Sequence, residues 1–130
     1  MKTIFVDAAF TFTIEKNGTF VVFRELHELL DTFHNKKIIV TNANDEQMIK
    51  YGLTKLPYEW YSLKHDPDKI DPEYFKKLLE HNRLNADDVV YFEHDEDAVK
   101  SAESVGITSF FYDAQKKDLY ALNDFLQTNA

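Results

Sequence analysis

Thr3-Ile4-Phe5-Val6-Asp7 stands almost at the start of the sequence, and its reading decides the fold. Residues 3–6 are short-range, β-branched and aromatic, which is the pattern of a buried strand, and the run ends on a carboxylate. The same kind of run returns at 37–40, 58–63, 89–92 and 107–112. Between these runs the apolar residues change to helical spacing. Phe23, Leu26, Leu29, Leu30 and Phe33 form one face of a helix over 22–33. A short helix over 45–51 is closed by Gly52 as its C-terminal cap. Asp71-Pro72 opens a helix to about residue 82, with Asp at the N-cap and Pro at the first helical position, and that helix buries Phe75, Leu78 and Leu79. Residues 95–105 form a helix stopped by Gly106. Residues 118–126 form a closing helix with Leu119, Leu122, Phe125 and Leu126 on one face.

One segment departs from this alternation. Phe10-Thr11-Phe12-Thr13-Ile14 alternates apolar and polar at strand period, Asn17-Gly18 follows, and Thr19-Phe20-Val21 comes next. Asn-Gly beside two β-prone runs predicts a hairpin. Five strands separated mostly by helices imply right-handed crossovers. The expected fold is therefore α/β: a doubly wound, mostly parallel, five-stranded Rossmann-like sheet with a β-hairpin flap after the first strand.

The 130 residues suffice for one domain and not for two, so a single domain over 1–130 is expected. At 44% hydrophobic, with eleven Phe, seven Tyr and one Trp, the chain builds an aromatic-rich core without staples. There is no cysteine, which excludes disulfides and thiolate metal sites. The apolar run at the N-terminus is too short for a signal peptide, and no segment approaches the ~20 apolar residues of a membrane span. A soluble, cytoplasmic protein with no membrane partner is expected. The net charge of −8 repels phosphate backbones and disfavours nucleic-acid binding. An anionic substrate would need local cations or a metal to hold it.

In doubly wound sheets, sites form at the carboxyl ends of strands. That rule selects Asp7, Thr41-Asn42, the segment after Leu63, and Glu93-His94-Asp95. Lys69 lies just before the Asp71-Pro72 helix start. An acidic run of Glu93, Asp95, Glu96 and Asp97 encloses His94. A carboxylate nucleophile, a cation, a hydroxyl donor and a metal-binding acidic cluster are what phosphoryl transfer through an aspartyl-phosphate requires. Mg²⁺ prefers oxygen ligands and keeps several waters, so one or two carboxylates suffice to hold it.

At these residues the sequence resembles the haloacid dehalogenase-like hydrolase superfamily. The family's Asp-x-Asp-x-Thr motif resembles Asp7-Ala8-Ala9-Phe10-Thr11, and its apolar strand ending in Thr or Ser resembles Ile38-Ile39-Val40-Thr41-Asn42. Its Lys-Pro-x-Pro-x-x-Phe motif resembles Lys69-Ile70-Asp71-Pro72-Glu73-Tyr74-Phe75. Its acidic pair before a helix with Ala and then Gly resembles Glu93-His94-Asp95 through Ala102 and Gly106. The four segments fall in the family's order and span nearly the whole chain.

The resemblance implies a Mg²⁺-dependent, phosphatase-type hydrolase. Asp7 would be nucleophile and Mg²⁺ ligand, and the Ala9 carbonyl a second ligand. Thr41 and the neighbouring Asn42 amide would hold phosphoryl oxygens. Lys69 would neutralise the nucleophile and the transferring group, and Glu93, with His94 or Asp95, would complete the metal site. The substrate would be a phosphorylated small molecule or macromolecule. No cap domain is present in this pattern, and capless relatives keep an open site that suits large substrates or assembly with a second subunit.

Two departures stand out. Ala9 replaces the family's second aspartate, the acid/base for the leaving group, worth roughly 10²–10⁴ in rate. His94 replaces an aspartate that would meet the metal, and imidazole favours transition metals over Mg²⁺. Two further readings follow from these departures: a catalytically silent scaffold, and an aspartate-nucleophile hydrolase acting at carbon.

Structural readings stand beside the functional ones. Asp7 also reads as a strand-end turn residue, and Thr41-Asn42 as a turn that caps the next helix. Lys69 also reads as a solvated lysine, with Lys64 as its competitor. The acidic run is stabilised by a helix dipole without any metal. His27, His34, His65 and His81 show no pairing pattern and read as surface residues, and the aromatic stripes read as core.

Overall fold

The strand that opens the chain is buried along its whole length because it has a neighbour on each edge and helices on each face. In the computed structural model, which describes residues 1–130, β1 (Thr3–Asp7) pairs in parallel with β4 (Lys37–Thr41) on one side and β6 (Val89–Glu93) on the other. Parallel pairings add β5 (Glu59–Ser62) beyond β4 and β7 (Thr108–Phe111) beyond β6, giving the order β5-β4-β1-β6-β7. The chain first steps outward from β1 through β4 to β5, then returns to the other side through β6 to β7. The direction reverses at β1, which is where a doubly wound sheet opens a crevice at the carboxyl ends of its strands.

Residues of β1 alternate between the two faces of the sheet. Ile4 and Val6 join Ile39, Val90 and Phe92 in a core covered by Leu26 and Leu30 of α1 (Arg24–Asp31) and by Leu122 and Leu126 of α5 (Leu119–Asn129). Phe5 joins Ile38, Val40, Val89 and Tyr91 on the opposite face. There it packs against Tyr74, Phe75 and Leu78 of α3 (Pro72–His81) and Ala102 of α4 (Glu96–Ser104). Full burial of each such side chain contributes about 1.5–3 kcal/mol. By the same alternation Asp7 lies on the α3–α4 side of the sheet, two residues on from Phe5. The fold is the α/β, doubly wound arrangement that the sequence predicts, with every strand of the main sheet parallel.

Caps place the helices on the strand ends. The Asn44 side chain accepts from the Gln47 amide at the start of α2 (Asp45–Lys50), while the Gln47 side chain accepts from the Asn44 amide, closing a capping box. Asp71 accepts from the Glu73 amide, Asp95 from Asp97 and Asp118 from Ala121, at 2.9–3.0 Å. No helix is long and apolar enough to cross a membrane.

The hairpin is present, with its start displaced from the sequence expectation. Its strands are β2 (Thr13–Lys16) and β3 (Thr19–Val22), antiparallel and separate from the main sheet. Asn17 and Gly18 have φ of 53° and 81°, which matches the two-residue turn that follows the right-handed strand twist. The strand does not begin at Phe10, because residues 8–12 form a tight turn. The Ala8 carbonyl accepts from the amides of Thr11, Phe12 and Thr13 at 3.2, 2.8 and 3.2 Å, and Phe10 takes φ 67°. Helix α1 likewise begins at Arg24 and not at Val22, because Val22 is committed to pairing with Thr13.

Candidate active site

Lys69 reaches back from the loop before α3 to the carboxyl end of β1. Its ammonium donates to Asp7 Oδ1 at 2.8 Å, to Glu93 Oε1 at 2.6 Å and to the Val40 carbonyl at 3.3 Å. The three residues are 2%, 5% and 0% exposed for Asp7, Lys69 and Glu93. Burial on this scale is tolerated for charges only when they are paired and hydrogen-bonded.

The second oxygens of the two carboxylates face His94. Its Nδ1 makes a short contact with Asp7 Oδ2 and lies 3.2 Å from Glu93 Oε2. The Thr11 hydroxyl donates to Asp7 Oδ2 at 2.6 Å, and the His94 backbone amide approaches the same oxygen at 3.3 Å. Glu93 further accepts from the Tyr91 hydroxyl on Oε1 and from the Asp95 amide on Oε2 at 3.1 Å. Every oxygen of the two carboxylates is an acceptor, which is the pattern of ionised groups.

The electrostatics follow from these contacts. Burial alone would push the Asp7 carboxyl up, but the Lys69 charge and the bond and charge of His94 outweigh it and hold Asp7 well below the usual carboxylate range. Burial would lower Lys69, and the charges of Asp7 and Glu93 raise it instead. Burial would also lower His94, yet its bonds to Asp7 and Glu93 push it up to about 10, so the ring is cationic at neutral pH. Glu93 is pushed up by burial and then by the Asp7 charge, with Lys69 acting against both. Two carboxylates, an ammonium and an imidazole alternate in one cluster, buried except for the half-buried His94 ring.

The other residues singled out from the sequence fall around this cluster in different ways. Thr41 lies at the end of β4 and lines the cavity beside Asp7. Its Oγ1 accepts from the Ala43 amide at 3.1 Å, so its own proton remains for a ligand. The Asn42 side chain is committed to the protein, donating to Asp68 Oδ1 at 2.9 Å and accepting from the Lys69 amide at 2.7 Å. It therefore fixes the loop that aims Lys69. Ala9 lines the cavity and supplies no acid there. Asp95 is the N-cap of α4, its Oδ1 taken by the Asp97 amide, and it offers no ligand atom to the group formed by Asp7, Glu93 and His94.

That group of three offers one atom each within 4.8 Å of the others. It does not fit Mg²⁺ as it stands. Asp7 Oδ2 is held by Thr11 and His94, the inner oxygens by Lys69, and the third donor is a nitrogen where Mg²⁺ prefers oxygen.

The cavity in front of Asp7 measures about 230 Å³ and is open to solvent on one side. Its outer wall holds residues that the sequence does not single out as site residues. Phe10, Tyr51, Gln47 and His65 all line it. Phe10 and Tyr51 sit with ring centroids 5.8 Å apart, and Phe20 of the hairpin packs edge-on to both, at 5.3 and 5.1 Å. His65 contacts Gln47 Oε1 at 2.6 Å and Asp68 Oδ2 at 2.9 Å. The available signal for His65 was its place in the segment after the third strand, a position that the strand-end rule had already marked.

Solved structures of similar shape exist. A HAD family enzyme from Bacteroides thetaiotaomicron, in complex with magnesium and inorganic phosphate, superposes with a TM-score of 0.72 at 13% identity, covering 93% of this chain and 98% of that one. The chain has the haloacid dehalogenase-like fold. Two other structures with this fold are similar to it. The D,D-heptose 1,7-bisphosphate phosphatase from B. bronchiseptica, complexed with magnesium and phosphate, matches at TM-score 0.72 and 12% identity over 100% of both chains. A HAD-superfamily hydrolase of subfamily IA from Geobacter sulfurreducens matches at TM-score 0.64 and 13% identity, covering 86% of this chain and 87% of that one. No protein-family model matches the sequence, and no curated protein matches it.

Proposed function

We propose that this chain is a haloacid dehalogenase-like hydrolase that acts on phosphate esters through Asp7. The observation that carries this reading is the Lys69 ammonium held between Asp7 and Glu93 at the switch point of the sheet, beside an open cavity with the free Thr41 hydroxyl. Similar folds solved with magnesium and phosphate support a phosphoryl substrate. In this reading the chain is one domain with no cap, a cytoplasmic enzyme whose open cleft admits a small-molecule or macromolecular phosphate, and a second copy is a candidate partner at its rim.

The chemistry uses the chain's own groups. A carboxylate oxygen of Asp7 attacks phosphorus and the bond to the leaving oxygen breaks. Water then attacks the aspartyl-phosphate, releasing inorganic phosphate and restoring Asp7. Lys69 and the Thr41 hydroxyl stabilise the equatorial oxygens as charge spreads over them. Asp7 is ionised at neutral pH, as a nucleophile must be. Ala9 supplies no proton to the leaving oxygen, so the site favours leaving groups that depart as stable anions, such as acyl and aryl phosphates.

One observation favours a second reading. Both oxygens of Asp7 are saturated by Lys69, Thr11 and His94, which also suits a binding scaffold that has kept the fold and lost the chemistry. Release of inorganic phosphate from acetyl phosphate, compared between wild type and Asp7→Asn, separates the two. Turnover abolished by the substitution supports the hydrolase, and equal background in both proteins supports the scaffold.

A further inference from the structure

We propose that the His94 ring nitrogen, together with the Lys69 ammonium, fills the place between Asp7 and Glu93 that a divalent cation would take, so that this site is built to work without Mg²⁺.

The geometry is a bridge on each side of one carboxylate pair. Lys69 Nζ joins Asp7 Oδ1 and Glu93 Oε1 at 2.8 and 2.6 Å. His94 Nδ1 joins the two remaining oxygens, in short contact with Asp7 Oδ2 and 3.2 Å from Glu93 Oε2. A magnesium ion using these carboxylates would need the oxygens that the imidazole holds, because the other pair faces the lysine. The ring is also fixed in place. The Thr11 hydroxyl, which donates to the same Asp7 oxygen, lies 3.4 Å from Nδ1, and the Phe10 ring packs beside the imidazole with centroids 5.7 Å apart.

Two further features agree. Asp95, the adjacent carboxylate that could replace His94 as an oxygen donor, caps the N-terminus of α4 through Oδ1 and is not one of the residues whose ligand atoms converge with those of Asp7 and Glu93. Mg²⁺ demands near-octahedral oxygen ligands at about 2.0–2.1 Å, and the imidazole nitrogen is not one of them.

Calorimetric titration of the wild-type protein with MgCl₂ at neutral pH tests this, alongside the His94→Asp variant. The expected result is no saturable binding by wild type and a one-to-one saturable site in the variant, which gains a carboxylate oxygen in place of the ring nitrogen. One-to-one Mg²⁺ binding by wild type that disappears in Asp7→Asn overturns the proposal. The nitrogen-15 resonances of the His94 ring in wild type give a second measurement that needs no variant. Signals unmoved by MgCl₂ support a place already filled by the ring, and a saturable shift overturns it. These readouts report binding and not turnover, so a failure of the hydrolase reading is seen separately.

Discussion

Lys69 Nζ lies 2.8 Å from Asp7 Oδ1, across 62 residues of sequence, and both groups are buried. The pair joins the loop before α3 to the end of β1 and carries Glu93 of β6 with it. Removal of the ammonium would leave two carboxylates buried with His94 as their only side-chain cation. Breaking one side of a buried ion cluster costs about 3–5 kcal/mol. Lys69→Met is expected to lose that much in urea unfolding, and a loss under about 1 kcal/mol, the range of an exposed pair, would contradict the burial of this contact.

The stability of the cluster depends on pH in a direction that the shifts fix. His94 faces Asp7, Glu93 and Thr11, and its folded pKa is pushed up to about 10 from an unfolded value of 6.5. A raised pKa means that the contribution is complete below about 6.5 and is lost as the pH climbs toward the folded value. Asp7 acts in the opposite sense. Its carboxyl is held low, so its contribution is complete above about 4 and is lost on acidification. The difference in Tm between wild type and His94→Asn should therefore be largest near pH 6 and shrink steadily toward pH 10. A difference that stays flat across this range would mean that folding does not raise the pKa of the ring.

Gly52 has φ +69°, and a Cβ there would stand 2.7 Å from the Phe20 carbonyl of the hairpin. Thr13 Oγ1 donates to the Tyr51 carbonyl at 2.8 Å at the same junction. Gly52→Ala should cost about 1–3 kcal/mol in strain and push the hairpin away from α2. Because Phe10, Phe20 and Tyr51 meet there, the variant should also raise KM for an aryl phosphate more than it lowers kcat. Wild-type stability with an unchanged KM would show that the hairpin does not shape the cleft.

Ala9 lines the cavity, and in the proposed reaction it stands where an acid would assist the leaving group. With the other parts intact, Ala9→Asp should raise turnover of an alkyl phosphate by roughly 10²–10⁴ and raise that of acetyl phosphate far less, since acetate leaves without help. Phosphate release from the alkyl ester settles the point, and no increase would mean that the machinery is missing elsewhere.

Sheet and site were legible in the sequence to different depths. The run from Thr3 to Asp7 carried both strand character and the position of the carboxylate, because β-branched burial and strand-end geometry are local properties. Lys69 was legible through the Asp71-Pro72 helix start that follows it. The alternation at 10–14 misled, since it is also produced by a turn in which Thr11 binds Asp7 and Phe12 enters the core. The outer wall was illegible for a different reason. His65 enters the cavity from a loop in which it and Lys64 have φ of 65° and 52°, and Phe10 and Tyr51 are brought together by hairpin packing. Such placement is tertiary and leaves no periodic trace. The role of His94 also depended on where its nitrogen points, which spacing does not encode.

In the proposed reaction Asp7 is the group that takes the phosphoryl. Rapid quenching of the protein during incubation with acetyl phosphate, followed by intact-mass and peptide mapping, tests this directly. One phosphoryl group should appear on the peptide containing Asp7 in wild type and be absent in Asp7→Asn. Turnover without any such adduct, or the same adduct in both proteins, would contradict the account.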